Sequence, residues 1–137
     1  MGHSIQCSWS GGMSFQATAT GQKMTMDAGE GTGGEGSGFR PKPLLLVSLA
    51  GCTGMDVMSL LAKMRVQVDA FNIDVHGELT DEHPKYYHKI HLTYRFRGEQ
   101  IDRSKVEKAV SLSQEKYCGV SAMLRKAAEL SFDIIYE

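Results

Sequence analysis

Two cysteines, Cys52 and Cys118, are the residues whose type and surroundings could do chemistry. Cys52 lies within the apolar run Leu44–Met58, and Cys118 lies in the segment KYCGVS; each thiol stands beside a glycine. A thiol attacks as a thiolate, which a helix N-terminus or a nearby cation favours and apolar burial opposes. A peroxide could oxidise one thiol to a sulfenic acid, which a second thiol converts to a disulfide. That cycle requires the two thiols to be close, whereas their spacing alone favours two unpaired core cysteines.

The spacing of cysteine and histidine gives no support for a metal centre. There is no Cys-x-x-Cys, and His88 and His91 on one predicted strand would face opposite ways. We therefore expect no metal and no cofactor. The Gly-x-Ser-x-Gly elbow of many serine hydrolases is absent. Catalysis by a Cys–His pair stays open, because a histidine partner cannot be read from sequence order.

Length and charge indicate one ordinary soluble domain over residues 1–137. The 137 residues carry a formal charge of −1, so nothing in the balance calls for nucleic acid or an anionic membrane. The first ten residues are polar and do not resemble a signal peptide. With only three cysteines, the chain is not expected to have a disulfide framework. We therefore expect a cytoplasmic location. Cys7 is predicted to pack in a strand as a small hydrophobe.

One apolar segment, Leu44–Ala62, approaches the roughly 20 residues needed to cross a membrane. Asp56 lies inside it, and Lys63 and Arg65 continue the pattern, so we interpret it as a central core helix of a soluble protein. A helix that is apolar on all sides is hard for a monomer to cover, which predicts a dimer.

Residues 29–41 form a glycine-rich loop that ends at the prolines before this helix. A phosphate cradle is disfavoured, because the Walker Gly-Lys-Ser/Thr is absent and two glutamates would repel phosphate. We expect a mobile loop at the mouth of a site.

The remaining chain alternates between strand and helix patterns that together predict an α+β fold. We predict strands over residues 4–9, 13–19 and 22–28, a helix from Pro43 to about Val66, strands Ala70–Leu79 and Tyr86–Arg97, helices from Asp102 or Ser104 to Tyr117 and from Val120 to Glu129, and a strand Ser131–Tyr136. Cys118 is well placed to start a helix. Cys52 lies either deep inside the first helix or at a break made by Gly51 and Gly54.

Alternation and helical spacing also predict which side chains are buried. In the second long strand one face carries Tyr86, His88, Ile90, Leu92, Tyr94 and Phe96. Because the other face is polar, antiparallel pairing is expected. The helix that follows has a stripe made of Val106, Ala109, Val110, Ser113 and Tyr117.

The two cysteine segments resemble those of the OsmC/Ohr family of osmotically inducible and organic-hydroperoxide-resistance proteins. The matching segments are Pro41–Cys52 (PKPLLLVSLAGC) and Lys116–Ser121 (KYCGVS), and the likeness extends over roughly residues 38–136. The resemblance implies an intertwined α+β homodimer, with antiparallel sheets wrapped around long central helices and the active site at the subunit interface. It also implies that Cys52 attacks a hydroperoxide, that Cys118 resolves it as a disulfide, and that a lipoyl-type dithiol supplies the electrons.

Two positions depart from the family pattern. Lys42 stands where peroxidase members carry a glutamate, and Met13 follows Gly11-Gly12 where they carry an arginine. We assign Cys52 and Cys118 as catalytic, and Arg40, Lys42 and Met55 as substrate-binding, with Arg40 or Lys42 supplying positive charge to Cys52. The alternative is an OsmC-like thiol protein that is not a peroxidase and binds a small apolar ligand or relays redox state at the dimer interface.

Overall fold

A computed structural model describes all 137 residues. The chain divides into two compact units, Met1–Leu45 and Leu46–Glu137, with the boundary inside a long helix. The assignment of residues 1–137 to one domain stays a prediction. The mixture of helices and small sheets confirms the predicted α+β class.

The first unit is built on a three-stranded antiparallel sheet in the order β1-β2-β3. Its strands are β1 (Ile5–Gly11), β2 (Ser14–Ala19) and β3 (Gln22–Met26). Cys7 lies in β1 and is exposed, so the prediction that it packs as a small hydrophobe is wrong. Every residue of β1 is exposed, and the strand therefore offers no core for the thiol to enter.

A long helix, α1 (Pro41–Lys63), follows the glycine-rich loop. It is continuous through Gly51 and Gly54, so Cys52 lies deep inside it. One stripe is buried and consists of Leu49, Thr53, Val57 and Leu61, each four residues after the last. By length and composition α1 could cross a membrane, but one such helix is weak support because core helices of soluble proteins pass the same test.

The second unit contains a three-stranded sheet in the order β4-β5-β6. Strands β4 (Ala70–Leu79) and β5 (Tyr87–Arg97) pair antiparallel, as predicted. Strand β6 (Glu129–Tyr136) pairs parallel to β5, so this sheet is mixed and the prediction of antiparallel sheets is wrong here. Parallel neighbours need a crossover connection, and the helical segment between β5 and β6 supplies it.

Strand β5 has the predicted buried face from Ile90 onward but not before it. The pairing with β4 shifts next to Leu79, so Tyr87 is buried and His88 is exposed, and the predicted placement of Tyr86 and His88 on the core face is wrong. A bulge of this kind reverses the alternation on one side of it. Gly77 makes room for the change, because a Cβ there would lie 2.6 Å from the Tyr87 ring.

The crossover consists of α2 (Arg103–Leu112), a π-helical turn Ser113–Tyr117, and the short helix α3 (Gly119–Leu124). The Asp102 carboxylate caps α2 by accepting a hydrogen bond from Lys105 N at 3.2 Å, as predicted. The π turn has more residues per turn than an α-helix, so the predicted stripe fails at its end. Tyr117 is exposed, and Gln114 is buried in its place.

Candidate functional site

Cys52 lies on α1 immediately before Thr53, the polar member of the buried stripe. Its thiol is half-buried. The backbone N–H of Val120, at the start of α3, favours the thiolate form of Cys52 and so lowers its pKa. Because Cys52 is more than two turns from the first residue of α1, the dipole of that helix gives its thiolate little help.

Cys118 lies between the π turn and α3, in an extended conformation that separates the two helices. It is the N-cap of α3, and its Sγ accepts a hydrogen bond from Ser121 N at 3.3 Å. The prediction that Cys118 starts a helix is therefore confirmed. Only 3% of the residue is exposed, so solvent reaches Cys118 less readily than Cys52.

The fold brings the two cysteines together with a carboxylate. The sulfur atoms of Cys52 and Cys118 and a carboxylate oxygen of Asp56 all lie within 4.8 Å of one another. A disulfide between them requires the two sulfurs to approach to about 2.05 Å. Both cysteines are free thiols in this structure.

Ser113 ties the two cysteine-bearing segments to each other. Its carbonyl oxygen accepts a hydrogen bond from Cys118 N at 2.7 Å. Its hydroxyl donates to Asp56 Oδ2 at 3.1 Å and lies 2.7 Å from Thr53 Oγ1. Since Thr53 and Asp56 follow Cys52 on α1 within one helical turn, this one serine links the positions of both thiols.

A buried polar network continues from Thr53 to Arg125. Tyr94 OH lies 2.7 Å from Thr53 Oγ1 and accepts a hydrogen bond from Gln114 Nε2 at 2.7 Å. Arg125 donates to the Gln114 carbonyl oxygen and to Gln114 Oε1. Buried polar groups of this kind fix one arrangement only when every member has a partner. The network thus holds α1, β5 and the π turn in register around the thiols.

Burial raises the pKa of the Cys52 thiol above its ordinary range. The neighbouring acids Cys118 and Asp56 raise this pKa further, and the Val120 N–H opposes them. Burial likewise raises the pKa of Tyr94, with hydrogen bonds from Thr53 and Gln114 acting the other way. Cys52 is therefore a protonated thiol at neutral pH until something stabilises its thiolate.

The three substrate-binding candidates lie elsewhere on the helix or on the loop before it. The Arg40 guanidinium donates to the Gly38 carbonyl oxygen at 2.8 Å. Lys42 lies in the first turn of α1. Met55 lies on α1 and is 76% exposed. Their assignment to substrate stays a prediction, as do the catalytic roles of the two cysteines.

Sequence reasoning missed the polar residues that organise the site. Asp56 carried a signal, because it stands one helical turn after Cys52 within an otherwise apolar run. Ser113 was assigned to the helical stripe but not to the site. Gln114 and Arg125 gave no signal, because their roles depend on the π turn and on a contact between distant segments.

The fold and the paired thiols together define a small α+β protein with two neighbouring free cysteines. Comparison with known proteins gives the family. A family model described as OsmC-like protein matches residues 34–133. The chain is also 31% identical to Protein YhfA of Escherichia coli over 130 residues, which cover 93% of this chain and 94% of that protein. The chain therefore belongs to the OsmC family, and the resemblance proposed from the cysteine segments is confirmed.

Solved structures with the same fold include relatives of differing similarity. A hypothetical protein from Aquifex aeolicus superposes with a TM-score of 0.84 at 31% identity, covering 100% of this chain and 98% of that chain. An organic hydroperoxide resistance protein OsmC from Legionella pneumophila superposes with a TM-score of 0.73 at 15% identity, covering 98% and 97%. The second likeness is one of fold.

Proposed function

We propose that this protein is a thiol-dependent reductase of hydroperoxides, organic ones above all, that works through Cys52 and Cys118. The observation that carries the proposal is the placement of the two free sulfurs within 4.8 Å of each other. Cys52 is the more exposed of the two and is the attacking residue. Cys118 is buried beside it and is the resolving residue.

Each step of the cycle balances. The Cys52 thiolate attacks the terminal oxygen of ROOH, the O–O bond breaks, and the alkoxide leaves and takes up a proton to give ROH. The Cys118 sulfur then attacks the Cys52 sulfenic acid, which forms the disulfide and releases water. An external dithiol of the lipoyl type attacks the disulfide, is itself oxidised, and returns both thiols.

The comparisons are compatible with this chemistry at the level of the family. The Legionella protein is named for organic hydroperoxide resistance, whereas the name YhfA states no activity. A fold shared at low identity does not carry an activity with it, so the proposal depends on this chain's own cysteines.

One observation favours a second candidate function. The charges that act on Cys52 most strongly belong to Cys118 and Asp56, and both raise the pKa of the thiol instead of lowering it. A peroxidatic cysteine is activated by the opposite arrangement. The alternative is therefore an OsmC-like thiol protein that is not a peroxidase and that binds a small apolar ligand or relays redox state.

We propose a cytoplasmic homodimer as the working form. Large apolar side chains are exposed on several elements of the chain, including β1 and α1. On β1 they are Ile5 and Trp9, and on α1 they are Leu45, Val47, Met55 and Met58. Apolar surface of this kind on a soluble chain marks an interaction site. A molar mass by light scattering that stays at one subunit at every concentration would contradict the dimer.

The peroxidase proposal is tested with reduced protein and cumene hydroperoxide. We expect mass spectrometry to find one Cys52–Cys118 disulfide per subunit at modest peroxide excess. Cys52→Ser should abolish peroxide consumption, and Cys7→Ser, which alters an exposed cysteine of the other unit, should leave it unchanged. Full peroxide turnover by Cys52→Ser would exclude the mechanism, and the absence of any disulfide would favour the second candidate.

A further inference from the structure

Three side chains that bind soft or borderline metal ions converge at the site. Cys52 and Cys118 offer sulfur and Asp56 offers a carboxylate oxygen, and these atoms lie within 4.8 Å of one another. The group is not a surface cluster of acids, because Cys118 is buried and Cys52 and Asp56 are partly buried. We propose that the reduced protein binds one divalent cation of the zinc type through Cys52, Asp56 and Cys118.

The spacing of the donors fits the size of such a site. Zinc binds thiolate sulfur at ~2.3 Å and carboxylate oxygen at ~2.1 Å in tetrahedral geometry, so neighbouring donors stand roughly 3.6 to 3.8 Å apart. Donors already held within 4.8 Å need only side-chain rotations to reach these distances. Two sulfurs and one oxygen favour zinc or cadmium over magnesium or calcium, which prefer oxygen ligands alone.

Two of the three donors are already oriented by hydrogen bonds from neighbouring groups. Ser113 Oγ donates to Asp56 Oδ2, and Ser121 N donates to Cys118 Sγ. Metal sites in proteins have outer partners of this kind, which hold the ligands in position and tune them.

Ser121 provides an independent observation. Its hydroxyl is fully buried and has no hydrogen-bond partner, although its backbone N–H holds Cys118 Sγ. An unpartnered buried hydroxyl is uncommon and calls for an explanation. With three protein ligands, a zinc-type ion keeps a fourth position for water, and a bound water is a candidate partner for this hydroxyl.

Binding and oxidation are mutually exclusive. The cation replaces the protons of the two thiols, which leave to solvent, and no electrons are exchanged. A Cys52–Cys118 disulfide has no thiolate to offer, so only the reduced form would bind. The inference does not rest on the proposed peroxidase activity, because it needs only the three donors. It revises the expectation from sequence that the chain has no metal site.

The test uses the third cysteine of the same chain as an internal reference. Reduced, metal-free protein is alkylated with iodoacetamide with and without one equivalent of Zn²⁺, and each cysteine is followed by mass spectrometry. We expect zinc to slow the alkylation of Cys52 and Cys118, because a thiolate that is bound to a metal ion is no longer free to attack the reagent. Alkylation of the exposed Cys7 should not change. If zinc left the alkylation rates of Cys52 and Cys118 as unchanged as that of Cys7, the proposal would be overturned.

A second measurement separates a built site from casual thiol binding. In a Cys7→Ser background, Co²⁺ should give thiolate charge-transfer and tetrahedral visible bands that saturate at one ion per subunit. Asp56→Asn should weaken binding at least about tenfold, because even an outer partner of a ligand contributes that much. The control Asp81→Asn alters an exposed acid in the turn between β4 and β5 and should bind normally. Equal affinity in both variants would exclude Asp56 as a ligand, and octahedral bands without charge transfer would exclude the site.

Discussion

The pKa of a buried acidic group is shifted in opposite directions at the thiol site and beside the glycine-rich loop. Just before the loop, Asp27 is buried and its carboxylate accepts hydrogen bonds from Ala28 N, Glu35 N, and both Ser37 N and Oγ. The Ser37 bonds contribute most, and together these donors lower the pKa of Asp27 to about 2. At the thiol site, burial and the acids Cys118 and Asp56 raise the pKa of Cys52.

The difference separates a charge that neighbouring donors stabilise from one that its surroundings disfavour. Asp27 accepts four hydrogen bonds, and these bonds organise residues 28–37 around its carboxylate. Gly34 belongs to this arrangement, because a Cβ there would overlap the carbonyl oxygen of Ala28. The Cys52 and Asp56 side chains instead lie beside other acids. A group whose charge is disfavoured in the free protein gains most from a reaction or a ligand that removes the conflict.

The largest expected effect comes from removing the resolving thiol. Cys118→Ser should let Cys52 react with one equivalent of hydroperoxide and then stop, because no second thiol converts the sulfenic acid to a disulfide. The measurement is peroxide consumed per subunit, together with mass spectrometry of the Cys52 peptide for sulfenic and sulfinic acid. Sustained turnover by this variant with lipoyl-type dithiol would show that Cys118 is not needed.

Removing a hydroxyl from the buried network should destabilise the fold without altering the thiols themselves. Tyr94→Phe leaves Thr53 and Gln114 without one partner each, which is expected to lower the free energy of unfolding by about 1–3 kcal/mol. Tyr86→Phe is the control, since Tyr86 is exposed and a surface change of this kind stays within about 0.5 kcal/mol. Urea denaturation of both variants makes the comparison. An unchanged Tyr94→Phe would indicate that the network contributes nothing measurable.

Most of the fold could be predicted from sequence, because the local patterns agree with the tertiary structure. Strand β4 has the bounds predicted for it, and β5 begins one residue late. Two of the errors arose where local periodicity is interrupted. The bulge beside Leu79 reversed the positions of Tyr87 and His88, and the π turn moved Tyr117 outward. Neither irregularity leaves a mark in a pattern of alternating or helical spacing.

The sequence predicted the two cysteines of the site but did not predict the polar residues around them. The two cysteine segments resemble a known family strongly enough to identify the pair. Their spacing in the sequence left them as probable core residues, because proximity between distant segments has no local signature. The raised pKa of Cys52 could not be predicted from sequence either, since it depends on where Asp56 and Cys118 lie after folding. The many glycines of the loop suggested mobility, whereas the carboxylate of Asp27, just before the loop, holds residues 28–37 through hydrogen bonds.

Neutralising Asp56 should bring the pKa of the Cys52 thiol closer to that of an ordinary cysteine. Because the Asp56 charge raises the pKa of Cys52, Asp56→Asn should lower that pKa and shift the pH profile of its alkylation to lower pH. At a fixed pH near 8, Cys52 should therefore react faster in the variant, while Cys7 should not change. The assay requires a strong chelator, so that bound metal does not mask the thiol. A profile shifted to higher pH would contradict the electrostatic assignment.

The raised pKa of Cys52 also makes the stability of the protein depend on pH. A thiol whose pKa is raised on folding binds its proton more tightly in the native state than in the unfolded chain. The contribution of Cys52 to stability is then complete below the ordinary thiol range and is lost as the pH rises through it toward the folded value. Asp56→Asn should reduce this loss, which thermal unfolding between neutral and alkaline pH would measure.

Neutralising Asp27 should affect only its own loop and gives the smallest effect on the whole protein. The pKa of Asp27 is lowered from 3.8 to about 2, so its stabilising contribution is present above the ordinary range and is lost as the pH falls through about 2. The amide resonances of Glu35 and Ser37 should therefore titrate with a midpoint near pH 2. In Asp27→Asn these two amides should exchange faster with solvent, whereas Glu30→Gln, an exposed acid in the same loop, should leave them unchanged. If Asp27→Asn also changed the alkylation rate of Cys52, the Asp27 carboxylate would act on the thiol site, and its effect would not be confined to the loop.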